Sequence, residues 1–303
     1  MLFSPVPVSA ACAVTDQNEN NRNLLLLFMK SKYIILVLLS VHYISSAQLA
    51  ITPGGQLSVF SDTRLTLYNT DLINNGNFFL ATTAPVSFTG DANSLIGGDQ
   101  VVRFFKMEIN KSGNKSVVLQ KSIGVGSGIF FTRGFLDLNG LTIDLESSGS
   151  INGENDERRI VGANGGQVIL RTTLNAPSNI NPGNLGISFT SNQDLGEVVI
   201  KRGHQSQSGS GLITSIKRYY EISPVNNNSV NISLRITYFD RELNGLDENS
   251  LELFKSDDQV NWSNLGSSAR DAVSNFVEKT SINPFSRFTL SALTSPLPIR
   301  FML

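Results

Sequence analysis

The feature that most constrains this chain is a run of short alternating strands at residues 122–153. Its sequence is SIGVGSGIFFTRGFLDLNGLTIDLESSGSING. Apolar residues alternate with polar or small ones, which is the period of a β-strand with one buried face. Turn-forming residues such as Gly134 and Asn139-Gly140 separate the apolar segments. Stacked short strands are typical of a β scaffold that displays a surface, rather than of an α/β enzyme with a pocket.

Apolar positions before residue 174 recur at a nearly regular spacing, and a repeat of about 20 residues favours a β-solenoid. In such a fold each turn stacks on the last and a continuous core is buried. A β-sandwich, which would show similar strands without a fixed spacing, is the alternative. We predict the solenoid because the spacing persists over several turns. The positions are Phe105, Val125 and Leu145, which are 20 apart, Ile109 and Ile129, also 20 apart, and Phe88, which precedes Ile109 by 21.

The second half of the chain has longer strands. Apolar and polar residues alternate from Val230 to Tyr238, and Leu251 and Leu253 show the same period. Six or seven such strands over about 100 residues predict a β-sandwich. Residues 162–192 contain one good strand and then become rich in Asn, Pro and Gly, which predicts the end of the stack and a linker. We therefore expect an all-β protein, with a β-solenoid at residues 48–194 followed by a β-sandwich at residues 195–294.

The N-terminal residues predict export. Met29–Lys32 is a basic start, Ile34–Ile44 is an apolar core, and Ser45–Ala47 supplies small residues for cleavage. The core is shorter than the roughly 20 apolar residues of a membrane-spanning helix. The alternative is a membrane-tethered protein with a short N-terminal tail, which would require burying the two lysines of the basic start. We predict a signal peptide at residues 29–47 and interpret residues 1–28 as an over-called start.

Charge and cysteine content exclude several classes of function. The chain has 24 Lys+Arg and 25 Asp+Glu, a balance that gives no concentrated basic face for nucleic acid. The single cysteine, Cys12, precedes the predicted cleavage site, so the mature chain has no disulfide and no thiolate metal site. We expect no nucleic-acid partner, and contact with a membrane only through the signal peptide.

Short motifs in both regions are similar to a known class of protein. In the first region they are residues 74–78 (NNGNF), 86–90 (VSFTG), 96–98 (IGG), 104–110 (FFKMEIN) and 134–140 (GFLDLNG). In the second they are residues 218–222 (RYYEI), 238–245 (YFDRELNG), 248–254 (ENSLELF), Trp262 and 285–290 (FSRFTL). The first set resembles the repetitive β-solenoid segments of secreted surface proteins from Bacteroidetes-type bacteria. The second set resembles the β-sandwich that often follows such repeats.

In that family a Pro-Leu-Pro linker commonly leads into a C-terminal sorting domain that the type IX secretion system reads. Ser295–Ile299 (SPLPI) resembles the beginning of this linker. We therefore interpret residues 295–303 as a linker and the start of a missing C-terminal domain. The resemblance implies a secreted or cell-surface protein, or a periplasmic one where the sorting domain is absent. It implies no established activity.

Carboxylates are the one catalytic resource that the sequence offers. Asp137 and Asp144 alternate with apolar residues and are predicted to point outward from the solenoid, as is Glu146. If neighbouring turns aligned two of them, the pair would reach the separation of ~5–10 Å that glycoside hydrolysis uses. The alternative, which we favour, is a solvated polar face that discourages edge-to-edge aggregation.

Three further features are candidates for binding. Glu154, Asp156 and Glu157 offer oxygen ligands for Ca²⁺, although the arginines that follow them favour local ion pairing. Trp262 could stack on a sugar, although packing against the sandwich is the favoured alternative. His204 is the only histidine after the predicted cleavage site and lies in a polar Gly/Ser-rich segment, so we interpret it as a solvated loop residue.

The sequence thus predicts an exported structural or adhesive surface protein with no evident catalytic site and no required cofactor. Its expected partners are glycans, matrix or another cell surface. One alternative is a carbohydrate-active enzyme, a polysaccharide hydrolase or lyase, that uses Asp137 and Asp144. Another is a non-functional fragment of a longer adhesin. The enzyme predicts paired acids in a groove as wide as a sugar chain, whereas the adhesin predicts a flat, acid-poor face with exposed aromatic residues.

Overall fold

The structure is a computed structural model that describes residues 47–60, 63–80 and 84–292. These residues are nearly all β, with a β-solenoid of about five turns followed by the antiparallel sheets of a β-sandwich. The all-β fold class predicted from the sequence is confirmed. The predicted over-called start, all but the last residue of the predicted signal peptide, and the predicted C-terminal linker lie outside the described residues.

The described residues form 23 strands and three single-turn 3-10 helices, the latter at Pro182–Asn184, Asp240–Glu242 and Glu248–Ser250. The strands are β1 (Ala47–Ile51), β2 (Gln56–Val59), β3 (Leu65–Tyr68), β4 (Thr70–Asn74), β5 (Asn77–Leu80), β6 (Pro85–Gly90), β7 (Ser94–Gly97), β8 (Val102–Lys111), β9 (Ser116–Leu119), β10 (Ile123–Asp137), β11 (Thr142–Asp144), β12 (Ser150–Asn152), β13 (Arg158–Val161), β14 (Gln167–Asn175), β15 (Ile187–Thr190), β16 (Asp194–Gly203), β17 (Tyr219–Pro224), β18 (Ile232–Thr237), β19 (Leu251–Ser256), β20 (Ser263–Gly266), β21 (Ala269–Asp271), β22 (Phe276–Ile282) and β23 (Arg287–Ala292).

The solenoid has two main faces of parallel strands. The first face stacks β1, β4, β7, β9, the end of β10, and β13. The second face stacks β3, β6, β8, the first two-thirds of β10, then β11 and β12, and finally β14. The strands β2 and β5 form a short third pair. Because corresponding positions of successive turns meet, each apolar column becomes a continuous strip of core.

The repeat length varies along the solenoid instead of holding at one value. Leu136 stacks on Val117, whereas Val168 stacks on Ile143, so the second of these turns contains more residues than the first. The corners between strands absorb these differences in length. A solenoid tolerates them because only the strands must align for the core to remain continuous.

One of the predicted partnerships is correct and two others are shifted. Phe88 stacks on Ile109, as predicted. Ile109, however, stacks on Phe131 and not on the predicted Ile129. Val125 stacks on Phe104 and not on the predicted Phe105. Between Val125 and Gly128 the register of β10 against β8 shifts by one residue, as at a β-bulge, so the spacing between stacked partners rises from 21 to 22 residues along this pair of strands.

The solenoid core consists of buried aliphatic columns. On the second face Val86, Met107, Ile129 and Ile151 follow one another from turn to turn, and none is more than 3% exposed. Full burial of such a side chain stabilises a fold by about 1.5–3 kcal/mol. One short turn buries too little apolar surface to form a core by itself. Stacking of successive turns supplies the missing burial.

Asparagine side chains at the corners connect one turn of the solenoid to the next. The Oδ1 atom of Asn69 accepts hydrogen bonds from the backbone N–H groups of Asp91 and Ala92, at 2.8 and 2.9 Å. The Oδ1 atom of Asn93 accepts one from the N–H of Ser116 at 3.0 Å. Corner backbone groups have no strand partner, so these side chains satisfy donors that would otherwise lose a hydrogen bond on folding.

The strand β14 joins the solenoid to the sandwich. It pairs in parallel with β11 and antiparallel with β16, and the same sheet continues through β17, β23, β19 and β20. A second sheet in the order β15, β18, β22, β21 covers it. Buried side chains of both sheets belong to the same hydrophobic cluster as the solenoid core. β15 falls within the residues interpreted as a linker, because a four-residue strand between turn residues leaves little periodicity to detect.

The glycine at the corner after β7 provides a test of turn stacking. Gly98 has a φ of +104°, and a Cβ atom there would lie 2.3 Å from the carbonyl oxygen of Asn74 in the preceding turn. Gly113 also has a positive φ, +63°, but a Cβ atom there would meet no atom within 4 Å. We expect Gly113→Ala to cost about 1–2 kcal/mol of unfolding free energy, from backbone strain alone.

Gly98→Ala combines strain with a backbone collision and should cost at least about 3 kcal/mol. Urea unfolding followed by circular dichroism compares the two variants. Equal losses would mean that the turns are not in the tight contact described here.

Candidate functional site

Three outward carboxylates of the solenoid are paired with arginines from other turns. Both carboxylate oxygens of Asp144 lie 2.8–2.9 Å from Nη1 of Arg171. These side chains are substantially exposed, so each pair contributes at most about 1 kcal/mol. Their effect is to neutralise Asp144, one of the two candidate catalytic acids, whereas Asp137 forms no ion pair among the described residues. Three pairs join different turns in this way: Asp144 with Arg171, Glu146 with Arg103, and Glu108 with Arg64.

The two candidate catalytic acids lie on different faces of the solenoid. Asp137 ends β10 on the first face, and its Oδ1 accepts a hydrogen bond from the backbone N–H of Asn139 at 2.9 Å. Asp144 ends β11 on the second face, and its Oδ1 also accepts from the N–H of Glu146 at 2.8 Å. The fold therefore does not bring Asp137 and Asp144 together on one surface, as a pair of glycosidase carboxylates requires.

The three candidate calcium ligands have separate partners. Glu154 accepts hydrogen bonds from Nη1 and Nη2 of Arg202 at 2.8 and 2.9 Å. Asp156 accepts from the backbone N–H of Arg241 at 2.8 Å, and Glu157 is exposed, 3.7 Å from the Arg241 guanidinium. Across the described ranges no three His, Cys, Asp or Glu side chains are arranged to hold a metal ion. The ion pairs involve arginines from distant segments, Arg202 in β16 and Arg241 in a 3-10 helix, instead of the adjacent ones considered from the sequence.

Trp262 packs inside the sandwich region. It is 5% exposed and forms a small buried cluster with Leu212 and Phe254. The segment around Ser210 covers it, and the carbonyl of Ser210 accepts a hydrogen bond from the Trp262 backbone N–H at 2.8 Å. This environment is that of a core tryptophan, and the indole ring presents no face for a sugar to stack on.

The interpretation of His204 as a solvated loop residue is wrong. Its side chain is 6% exposed and lies directly after β16, where the Nε of Arg202 donates a hydrogen bond to its Nε2 at 3.3 Å. The local sequence is polar and rich in Gly and Ser, which is the usual signature of an exposed loop. Burial here comes from residues far away in the chain, so the local pattern carries no sign of it.

Two buried ion pairs surround this histidine. Arg202 is fully buried against Glu154, and Arg218 pairs with Glu242 at 2.8 Å with both side chains at most 4% exposed. The first pair connects the loop between β12 and β13 of the solenoid to the sandwich strand β16. The sequence did contain a sign that Arg202 is buried. Arg202 continues the alternation of Val198 and Ile200, whose side chains point into the core.

The network shifts the pKa values of its acid and its histidine. Burial tends to raise the pKa of Glu154, but the charge and hydrogen bonds of Arg202 outweigh it and hold that pKa below 4.5. Burial, together with the charges of Arg202, Arg218 and Arg159, holds the pKa of His204 well below 6.5. The imidazole is therefore neutral at pH 7, in agreement with its Nε2 acting as a hydrogen-bond acceptor.

An open cleft of about 530 Å³ lies beside this network, between the last turn of the solenoid and the sandwich. We call it the junction cleft. Its charged and titratable lining consists of Arg159, His204, Lys217, Arg241 and Glu242. Two other clefts, of about 500 and 450 Å³, lie beside Lys255 in the sandwich and beside the hydroxyl-rich second half of β14.

The junction cleft is the only one of the three that combines several cations with a buried titratable group. Lys217 and Arg241 are exposed at its rim, whereas Arg159 is half-buried in its wall. Sequence reasoning missed it because its lining comes from four separate segments of the chain.

Comparison with known proteins finds no match for this chain among protein-family models, curated proteins or solved structures. In the part of the chain that the structure describes, no helix has the length and apolar character needed to cross a membrane.

The buried pair of Glu154 and Arg202 should stabilise the fold far more than an exposed pair does. Glu154→Gln leaves the fully buried Arg202 guanidinium without its counter-charge, which typically costs about 3–5 kcal/mol. Glu146→Gln removes the same charge from the exposed pair with Arg103 and should cost less than about 1 kcal/mol. Urea unfolding of both variants, followed by Trp262 fluorescence and circular dichroism, measures the difference. Similar losses in the two variants would contradict the structural role of the junction pair.

The stability of the protein should fall in two steps as the pH is lowered. Below pH 6.5 the unfolded chain protonates His204 while the folded ring stays neutral, so proton uptake favours unfolding. Below about pH 4.5 the stabilising charge of Glu154 is lost as the pH approaches its lowered folded pKa. His204→Gln should flatten only the first step. Thermal unfolding from pH 7 to pH 4 checks this, and an unchanged slope between pH 6.5 and 4.5 would disprove the assignment to His204.

Proposed function

We propose that this chain is an exported structural or adhesive protein that contacts glycans, matrix or another cell surface. The observation that carries the proposal is the pairing of charges and the exposure of aromatic rings on the outward face of the solenoid. Three of its acids, Asp144, Glu146 and Glu108, are paired with arginines from other turns, while aromatic rings near its N-terminal end are exposed. The exposed rings are Phe60, Tyr68 and Phe79, at 69, 65 and 52%.

The exposed rings belong to the first turns of the solenoid. Tyr68 ends β3, Phe79 lies in β5, and Phe60 follows β2. Large aromatic side chains supply contact area at a low cost in conformational entropy, and they are enriched at binding surfaces. Rings on a stacked scaffold suit a surface that is recognised through many weak contacts, as in adhesion.

The continuity of the scaffold also supports a display role. The solenoid and the sandwich share the strand β14 and one hydrophobic cluster, and a buried ion pair crosses their junction. A close-packed interior transmits strain instead of yielding locally. A protein built in this way can hold a binding surface at a fixed distance from its point of attachment.

Export is proposed from the sequence of residues 29–47 and from the resemblance to surface proteins of the type IX secretion kind. The described residues contribute a fold suited to this role. Two locations follow from the proposal. The protein is attached to the cell surface through a sorting domain, or it is retained in the periplasm.

Adhesion without catalysis is the expected behaviour of the purified protein. Beads coated with it should be retained on polysaccharide- or matrix-coated surfaces under flow, with no release of reducing ends or shortened chains. Tyr68→Ala/Phe79→Ala should reduce retention several-fold, because both rings are exposed contact groups. Val225→Ala/Val273→Ala, which truncates two exposed residues of the sandwich, is the matched control and should leave retention unchanged.

The same assay tests the enzymatic alternative. Product release that disappears in Asp137→Asn or Asp144→Asn would contradict the proposed function and favour a polysaccharide hydrolase or lyase. Absence of retention on every surface, together with absence of product, would also reject the adhesive role.

A further inference from the structure

We propose that the junction cleft binds the anionic group of an acidic polysaccharide, a carboxylate or sulfate, between Arg159, Lys217 and Arg241. The inference rests on the proposed adhesive function and names the class of its ligand. It is independent of the exposed aromatic rings, which lie on the first turns of the solenoid.

The first argument is the excess of positive charge in the cleft. Among the described residues neither Arg159 nor Lys217 forms an ion pair with a carboxylate. Arg241 has only Glu157, at 3.7 Å, and both side chains are about two-thirds or more exposed. The carboxylate of Glu242 in the wall is already neutralised by Arg218 behind it. Glu242, Asp156 and Glu154 act on Arg159 at longer range. Arg159 and Lys217 nevertheless have no carboxylate within ion-pair distance among the described residues, so three cationic side chains are available to an anion in the cleft.

The second argument is that the arginine in the wall is held in position. The Nη1 of Arg159 donates a hydrogen bond to the carbonyl of Asp156, and its guanidinium lies 5.4 Å from the ring centre of Phe135. Burial lowers the pKa of Arg159, which indicates that its charge is incompletely solvated. An anion beside it would restore the lost solvation. A guanidinium fixed before binding also loses little entropy when it forms paired hydrogen bonds to a planar or tetrahedral anion.

The third argument is a hydrogen-bond donor at the wall of the cleft that has no acceptor among the described residues. His204 lines the cleft, and its Nε2 accepts a hydrogen bond from Arg202, so the proton of the neutral ring is on Nδ1. Within the part of the chain that the structure describes, no hydrogen bond from this Nδ1–H is formed, and the atom is not one of the fully buried unpaired ones. Because His204 lines the open cleft, this Nδ1–H is accessible to water or to a ligand oxygen. A sugar hydroxyl or an anion oxygen provides such an acceptor.

The shape of the cleft favours a sugar over a nucleic acid. Its volume of about 530 Å³ is within the range of pockets that enclose small ligands. Binding of a polynucleotide requires a path of cations along the phosphate backbone, with aromatic rings for the bases. Here the cations surround one pocket, and the described residues that line it include no Phe, Tyr or Trp. A charged sugar unit at a chain end or branch fits this arrangement.

The test uses calorimetry with the complete protein and defined oligosaccharides. The probes are a galacturonic acid oligomer, its methyl ester, which removes the charge and keeps the sugar rings, and a sulfated glycosaminoglycan oligomer. The galacturonic acid arm and the sulfated arm distinguish carboxylate from sulfate recognition. We expect at least one anionic oligomer to bind, with an affinity that falls as salt is added, and the methyl ester to bind at least tenfold more weakly.

Variants at the exposed rim locate the binding site without disturbing the buried network. Lys217→Gln/Arg241→Gln should weaken anion binding at least tenfold. Lys121→Gln/Arg103→Gln makes the same change in charge outside the cleft, and its affinity should stay within twofold of the unmodified protein. Circular dichroism confirms that both variants are folded.

Three results would overturn the inference: no binding of either anionic oligomer, equal binding of the methyl ester, or equal weakening by the two double variants. If neither anionic oligomer binds in calorimetry, while coated beads still adhere and Tyr68→Ala/Phe79→Ala reduces their retention, the inference fails and the proposed adhesive function stands.

Discussion

The ion pair between Arg202 and Glu154 is the interaction on which the junction of this protein depends. It places a fully buried guanidinium against a carboxylate from the loop between β12 and β13 of the solenoid. Glu154 also accepts a hydrogen bond from the backbone N–H of Ile160, so it fixes the path of the chain into β13. Removing water from two charges is expensive, and only a well-formed set of hydrogen bonds offsets that cost. The arrangement of the solenoid end on the sandwich follows from this requirement.

The junction cleft is a consequence of the same geometry. Burial and the charge of Arg202, which donates a hydrogen bond to His204, lower the pKa of the ring and keep it neutral. The second buried pair, Arg218 with Glu242, forms the back wall. The inner cations are paired, whereas at the opening Arg241 has only a long contact with Glu157 and Lys217 forms no ion pair among the described residues. The buried network thus leaves the junction cleft at its edge. This cleft is separate from the ion pairs on the outward face of the solenoid. Adhesive contact through the first turns and anion binding at the junction would occupy separate parts of the molecule.

Much of the scaffold was predictable from local pattern. Alternation with a period of two identified strands such as β18, and the nearly regular recurrence of apolar positions indicated stacking, with Phe88 and Ile109 as a correctly paired example. The candidate site was not predictable in the same way. The spacing could not show that Asp137 and Asp144 lie on different faces, because the bulges and uneven turns of β10 and its neighbours set the register. The short strand β15 was missed because four residues give too weak a signal.

The sequence by itself determined the all-β class, the solenoid and the sandwich strands, because side-chain alternation and turn residues act within a few positions of the chain. Only the tertiary structure decided which polar residues are buried and which partners they have. Glu154 and Arg202 are 48 residues apart, and Arg218 and Glu242 are 24 apart. The solvation of a charge depends on everything packed around it in space. A buried histidine in a sequence that resembles a loop, and a cationic cleft built from four segments, therefore appear only once the chain is folded.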